Sequence, residues 1–159
     1  MNRGFEKISW SAFRKEVEEN KELYDNYSLP VLKTQKSAGY DIMLLQNIEL
    51  KPGEIKKIPT GIKAYMKDDE VLFLIIRSSL GFKYNIRLCN QVGVVDADYY
   101  NNEKNEGHIW LAVQNEGNKT AAFKAKEGIA QAIFIPFLKA DNIFSNNKRK
   151  GGMGSTNEK

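Results

Sequence analysis

An aspartate closes the apolar run Val92-Gly-Val-Val-Asp96, and a second, Asp98, follows with Tyr99. A carboxylate at the end of an apolar strand is partly withdrawn from water, which suits it to take a proton as a general base. Upstream, Ile75-Ile-Arg-Ser-Ser-Leu-Gly81 ends another apolar run in the Arg77 guanidinium, the Ser78 and Ser79 hydroxyls and a glycine turn. Charge, O–H and backbone N–H groups together can hold one anion there. The C-terminal Lys148-Arg-Lys-Gly-Gly-Met-Gly-Ser-Thr156 adds cations, hydroxyls and glycines able to wrap a polyphosphate, without the Gly-Lys-Ser/Thr order of a P-loop. Ser37-Ala-Gly-Tyr-Asp41 and Gly128-Ile-Ala-Gln131 are weaker signals. Taken singly, each segment also reads as ordinary structure. Asp96 and Asp98 suit a turn as well as a site, Arg77 suits an exposed strand end, and the C-terminal stretch suits a disordered basic tail.

The elements that position these groups are mostly short strands. Residues 9–24 form the one good helical pattern, with Trp10, Phe13, Val17 and Tyr24 at roughly helical spacing and Ser9 or Ser11 as a cap. After Pro30, apolar runs at 40–45, 71–76, 86–95, 109–113 and 129–138 alternate with turn residues such as Pro52-Gly53, Gly81 and Glu116-Gly117-Asn118. Many short strands at close spacing predict an all-β barrel or sandwich. The run 71–76 lacks alternation, which predicts a strand buried on both faces. Residues 146–159 carry almost no apolar content and are expected to be mobile when free. The organisation expected is a single β domain over 1–145 and a C-terminal tail over 146–159.

The 159 residues, 42% of them hydrophobic, suffice for one domain with its own core. Lys and Arg number 24 against 20 Asp and Glu, a net charge of +4 that suits an anionic ligand and is too weak to argue for nucleic acid. The lone His108 excludes a multi-histidine metal site within one chain, and the lone Cys89 cannot form an internal disulfide. The longest apolar run is strand-sized, and residues 1–10 lack an apolar signal core. A cytoplasmic protein with no membrane partner is expected.

The order of the segments is more informative than any one of them. Ala38-Gly-Tyr-Asp-Ile42, Arg77-Ser-Ser79, Asn90-Gln-Val-Gly-Val-Val-Asp-Ala-Asp-Tyr99, Gly128-Ile-Ala-Gln131 and Gly151-Gly-Met-Gly-Ser-Thr156 follow one another along the chain. This resembles the five-motif signature of trimeric dUTPases, and the third motif carries most of the likeness. The resemblance implies a jelly-roll-like β-barrel with one extra N-terminal helix, assembled as a homotrimer whose active sites are shared between chains. It implies hydrolysis of dUTP to dUMP and pyrophosphate, with Asp96 as the general base that activates water against the α-phosphorus.

Carried over by matching positions, Arg77, Ser78, Ser79 and Gln131 bind phosphate oxygens. Asn90, Gly93, Val94 and Val95 present a β-hairpin whose backbone matches uracil, and Tyr99 packs under the deoxyribose. Lys148, Arg149, Met153, Gly154, Ser155 and Thr156 belong to a tail that closes over the site. Mg²⁺ is held mainly by the substrate phosphates, with Asp41 reaching it only through water. Four positions depart from the family pattern: Gly128 and Lys148 stand where arginine is usual, Met153 stands where a phenylalanine stacks on the base, and Asn157 stands where glycine is common. The same fold admits two rival readings, a dCTP deaminase and a catalytically weak trimeric nucleotide-binding or regulatory relative.

Overall fold

The computed structural model describes residues 1–143, so the tail residues 146–159, including Lys148, Arg149, Met153, Gly154, Ser155 and Thr156, lie outside the described residues. Eleven strands and three short α-helices are described: β1 (Gly4–Lys7), α1 (Trp10–Glu16), α2 (Lys21–Asn26), β2 (Tyr40–Met43), β3 (Ile48–Leu50), β4 (Ile55–Pro59), β5 (Ile62–Tyr65), β6 (Glu70–Ile76), α3 (Ser78–Tyr84), β7 (Ile86–Leu88), β8 (Gly93–Asp96), β9 (Trp110–Asn115), β10 (Ala121–Phe123) and β11 (Gly128–Pro136).

All strand pairs are antiparallel. One sheet runs β2-β11-β6-β8, a second runs β4-β9-β7, and two-stranded ribbons form from β1 with β5 and from β10 with β3. The all-β, jelly-roll-like expectation holds. β6 sits between β11 and β8, and Val71, Leu72 and Leu74 are buried, so its unalternating run is that of an interior strand. β9 alternates instead. Leu111, Val113 and Asn115 point into the core, and Trp110, Ala112 and Gln114 are only partly buried.

The N-terminal helical segment is broken in two. Val17 caps α1, and the Asn20 side chain accepts from the Leu23 amide at 2.9 Å to start α2, so the helical spacing across 9–24 spans two helices. Ser9, one of the two expected caps, accepts from the Ala12 amide at 3.1 Å. This arm belongs to the core. Ile8 and Phe13 are fully buried, and Phe13 packs on Tyr24 and Tyr27 with ring centroids 5.2 and 5.4 Å away. Burying Phe13 stabilises the docked arm by about 1.5–3 kcal/mol. No helix among the described residues is long and apolar enough to cross a membrane.

Candidate functional site

The third segment builds a pocket. A cavity of about 410 Å³ is lined by Asn90, Gly93, Val94, Val95, Asp96 and Tyr99 on one side and by Leu88, Ile109, Trp110 and Ala112 on the other. Its size and mostly apolar lining suit a flat ring with a few polar edges. Gly93 allows the close packing of its wall, because a Cβ there would come within 2.9 Å of the Leu74 Cβ. The Tyr99 hydroxyl donates to the His108 carbonyl at 2.8 Å and accepts from Asn105 Nδ2 at 2.9 Å.

Two expectations about this segment need correction. Asp96 is exposed rather than desolvated, because β8 alternates: Gly93 and Val95 face inward, and Val94 and Asp96 face outward. Asn90 to Val95 is also not a paired hairpin. β7 pairs with β9 and β8 pairs with β6, so the intervening turn crosses between two sheets. Gln91 takes a left-handed φ of 62° in that turn, and its amide donates to the Leu88 carbonyl at 3.0 Å.

The second, first and fourth segments form a separate group where β2, β11 and β6 meet. Arg77 ends β6 and leads into α3, a short helix where a glycine turn was expected, and Ser78 and Ser79 are exposed in its first turn. The Arg77 guanidinium donates to the Gly128 carbonyl at 3.2 Å, and its Nε lies 3.5 Å from Asp41 Oδ2. Gln131 donates to Asp41 Oδ1 at 3.0 Å. Asp41 is completely buried, and its Oδ2 has no hydrogen-bond partner. The Gly128 position is occupied in effect by Arg77. A Cβ there would lie 2.9 Å from the guanidinium and 3.2 Å from Asp41 Oδ2.

The two groups do not meet within one chain. Asp96 pairs across from Val71 and Gly93 across from Leu74, so Arg77, just past the end of β6, lies toward the opposite end of β8 from Asp96. At the rise of an antiparallel strand, the path from Val71 to Arg77 is ~20 Å. Sequence reasoning found the β8 half of the pocket and missed the β9 half. Trp110 was the available signal, as an aromatic in a run that turns out to alternate, but nothing local tied that run to Asp96.

An all-β, jelly-roll-like chain with an apolar pocket rimmed by a carboxylate, and with a separate guanidinium–carboxylate group, defines the class of fold. The family model named dUTPase matches residues 25–157. The deoxyuridine 5'-triphosphate nucleotidohydrolase of Lactococcus lactis subsp. lactis (strain IL1403) is 45% identical over 131 residues, which is 81% of this chain and 87% of that protein. The crystal structure of dUTPase from Streptococcus mutans superposes with a TM-score of 0.71 at 39% identity, covering 87% of this chain and 99% of that one. A point mutant of the dUTPase from phage phi11 of S. aureus is similar in fold alone, with a TM-score of 0.67 at 16% identity over 92% and 98% of the two chains. The chain belongs to the dUTPase family.

Proposed function

We propose that the chain hydrolyses dUTP to dUMP and pyrophosphate as a cytoplasmic homotrimer with shared active sites, and that Asp96 is its general base. The observation that carries this reading is the pocket itself. In a member of the dUTPase family, the segment Asn90–Tyr99 lines a cavity of nucleobase size with a carboxylate at its rim. Uracil enters between the Asn90–Val95 turn and β9, and Tyr99 packs against the deoxyribose. Uracil offers a donor at N3 between two acceptors, and a cytosine that reverses two of these would leave buried groups unpaired at ~1–3 kcal/mol each. Asp96 takes a proton from the water that attacks the α-phosphorus. Its exposure in a single chain leaves it open to be covered by a neighbouring one.

Arg77, Ser78, Ser79 and Gln131 bind phosphate oxygens, and the C-terminal residues Lys148, Arg149, Met153, Gly154, Ser155 and Thr156 close over the ligand. Because Arg77 and Asp96 lie at opposite ends of the β6–β8 pair, ~20 Å apart along the strand, one triphosphate reaches both only if they come from different chains. That separation supports the trimer with shared sites.

The phi11 dUTPase relative coordinates a structural Mg(II) ion. In this chain no cluster of three or more His, Cys, Asp or Glu among the described residues could hold a metal ion, and Asp41 Oδ2, buried without a hydrogen-bond partner and 3.5 Å from Arg77 Nε, is one oxygen that could support one. That set fits a hard cation that brings phosphate and water oxygens of its own, with Asp41 behind them. When bound, Mg²⁺ offsets phosphate charge and fixes the triphosphate conformation. Pyrophosphate release from a panel of deoxynucleoside and ribonucleoside triphosphates with Mg²⁺ tests the function. Release from dUTP alone is expected. Ammonia release from dCTP would instead establish a deaminase.

A further inference from the structure

The segment from Tyr100 to His108 takes no part in the reaction proposed above, yet it is densely knitted. The Asn102 side chain donates to the Tyr99 carbonyl at 2.8 Å and to Asn105 Oδ1 at 2.8 Å, and its own Oδ1 accepts from the Lys104 and Asn105 amides at 3.1 and 3.2 Å. Asn105 Oδ1 accepts from the Gly107 amide at 3.2 Å, and Asn105 Nδ2 donates to the Tyr99 hydroxyl. Backbone bonds join the Asn101 amide to the Glu106 carbonyl and the Glu106 amide to the Asn102 carbonyl, at 3.1 and 3.0 Å. Asn101, Glu106 and Gly107 all take left-handed φ values, so the loop is wound tightly back toward Tyr99.

The loop is also fastened from behind. Glu106 accepts from both the Ser9 amide at 2.9 Å and the Ser9 hydroxyl at 2.5 Å, at the residue that caps α1. His108 Nδ1 pairs with Glu16 Oε2 of α1 at 2.7 Å, and Tyr100 donates to Glu6 of β1 at 2.7 Å. Three points on the N-terminal arm therefore grip one loop, and inside that loop two asparagines grip one tyrosine. A tyrosine hydroxyl that both donates and accepts inside a closed network has one rotamer. Tyr99 is the member of this network that lines the nucleobase-sized pocket.

We propose that the loop 100–108, closed from behind by the N-terminal arm, is a clamp that fixes the Tyr99 ring, and that Asn105 is its specificity-determining positioning residue. The proposal rests on the reading that Tyr99 faces the sugar. A fixed ring excludes a 2′-hydroxyl because it cannot retreat, whereas a ring that can swing makes room for one. Asn105 acts through Tyr99 and touches no ligand itself.

The test compares wild type, Asn105→Ala, Tyr99→Phe and the double variant, each as the full chain. Calorimetry gives the affinities for dUMP and UMP, and steady-state kinetics gives kcat/KM for dUTP and UTP. Asn105→Ala is expected to cut the deoxyribo-over-ribo preference by about tenfold, mostly by admitting the ribonucleotide. Tyr99→Phe should give at least as large a loss, because it also removes the bond to the His108 carbonyl, and the double variant no more than Tyr99→Phe alone, since the phenylalanine already lacks the hydroxyl that Asn105 binds. Thermal melting shows whether each variant folds. A variant that melts lower yet keeps the wild-type preference within twofold makes the clamp merely structural and overturns the proposal. So do fully additive losses. A wild type with no preference for deoxyribose overturns the sugar-facing reading on which the clamp rests. Pyrophosphate release from dUTP judges the hydrolytic function separately.

Discussion

Asp96, Arg77 and Gly128 carry different burdens, and their substitutions should separate. Asp96→Asn removes the proposed base while keeping size and exposure, so turnover should fall by about 10²–10⁴-fold with dUTP affinity retained. Retained turnover in that variant excludes Asp96 as the base. Arg77 faces a fully buried carboxylate, Asp41. Arg77→Ala therefore strands a buried charge, and because Arg77 is itself partly exposed the loss belongs at the lower end of the range for broken buried pairs, about 3 kcal/mol. Urea denaturation should show that loss, and Asp41→Asn in the same chain should return much of it. An additive loss in the double variant would mean that the pair is not coupled. At Gly128 the atom that an added Cβ meets first is the far end of the flexible Arg77 side chain. Gly128→Ala should accordingly leave the melting temperature within about 3 °C of wild type, and raise KM for dUTP by displacing the guanidinium.

At the scale of elements, the arm formed by β1, α1 and α2 is held through a histidine. His108 is fully buried, its Nε2 accepts from the Gly61 amide at 2.9 Å, and its Nδ1 therefore carries the proton shared with Glu16. Burial lowers its pKa from the ordinary 6.5, against the pull of the Glu16 and Glu106 carboxylates toward the charged form. The unfolded chain thus takes up this proton at higher pH than the folded one. The stabilisation is complete above pH 6.5 and is lost as pH falls from there toward the depressed folded value. The urea midpoint should drop as pH is lowered below 6.5, and His108→Gln should flatten that part of the profile. An unchanged slope in the variant would exclude His108 as the titrating group.

How far these elements were legible depended on whether the signal was local. The interior strand β6 was readable because six apolar residues in a row have few other uses, and β11 because the apolar residues on both sides of Gln131 leave a strand-length segment with a single polar interruption. The short strands β1, β3, β4, β5 and β10 were not. Lys56 and Lys57 in β4 and Glu49 in β3 leave too little apolar periodicity, and their pairing partners lie far along the chain. The break between α1 and α2 was missed because apolar spacing alone continues across Asn20, whose capping bond decides the matter. The position of Asp96 at a strand end was legible, but its exposure was not. Whether a strand end faces water is set by register against β6, and the β8 sequence by itself does not fix that register.

For the whole molecule, the decisive geometry is the separation of the two groups along β6 and β8. A pocket with its carboxylate at one end and a guanidinium cluster at the other makes little sense as one site within a single chain. It is intelligible where neighbouring copies juxtapose opposite ends. In the proposed trimer, the exposed Asp96 and the exposed Val94 beside it on β8, 59% accessible, are surfaces for a neighbouring chain to cover. Subunit mixing measures this directly. Asp96→Asn chains and Arg77→Gln chains, each expected to turn over dUTP at no more than a few per cent of wild type alone, are co-refolded in equal amounts, and mixed trimers are verified by native mass spectrometry. The glutamine removes the charge while leaving an amide near Asp41. If Asp96 and Arg77 of different chains serve one dUTP, random assortment restores about a quarter of wild-type turnover. Verified mixed trimers with no recovered turnover would contradict the account.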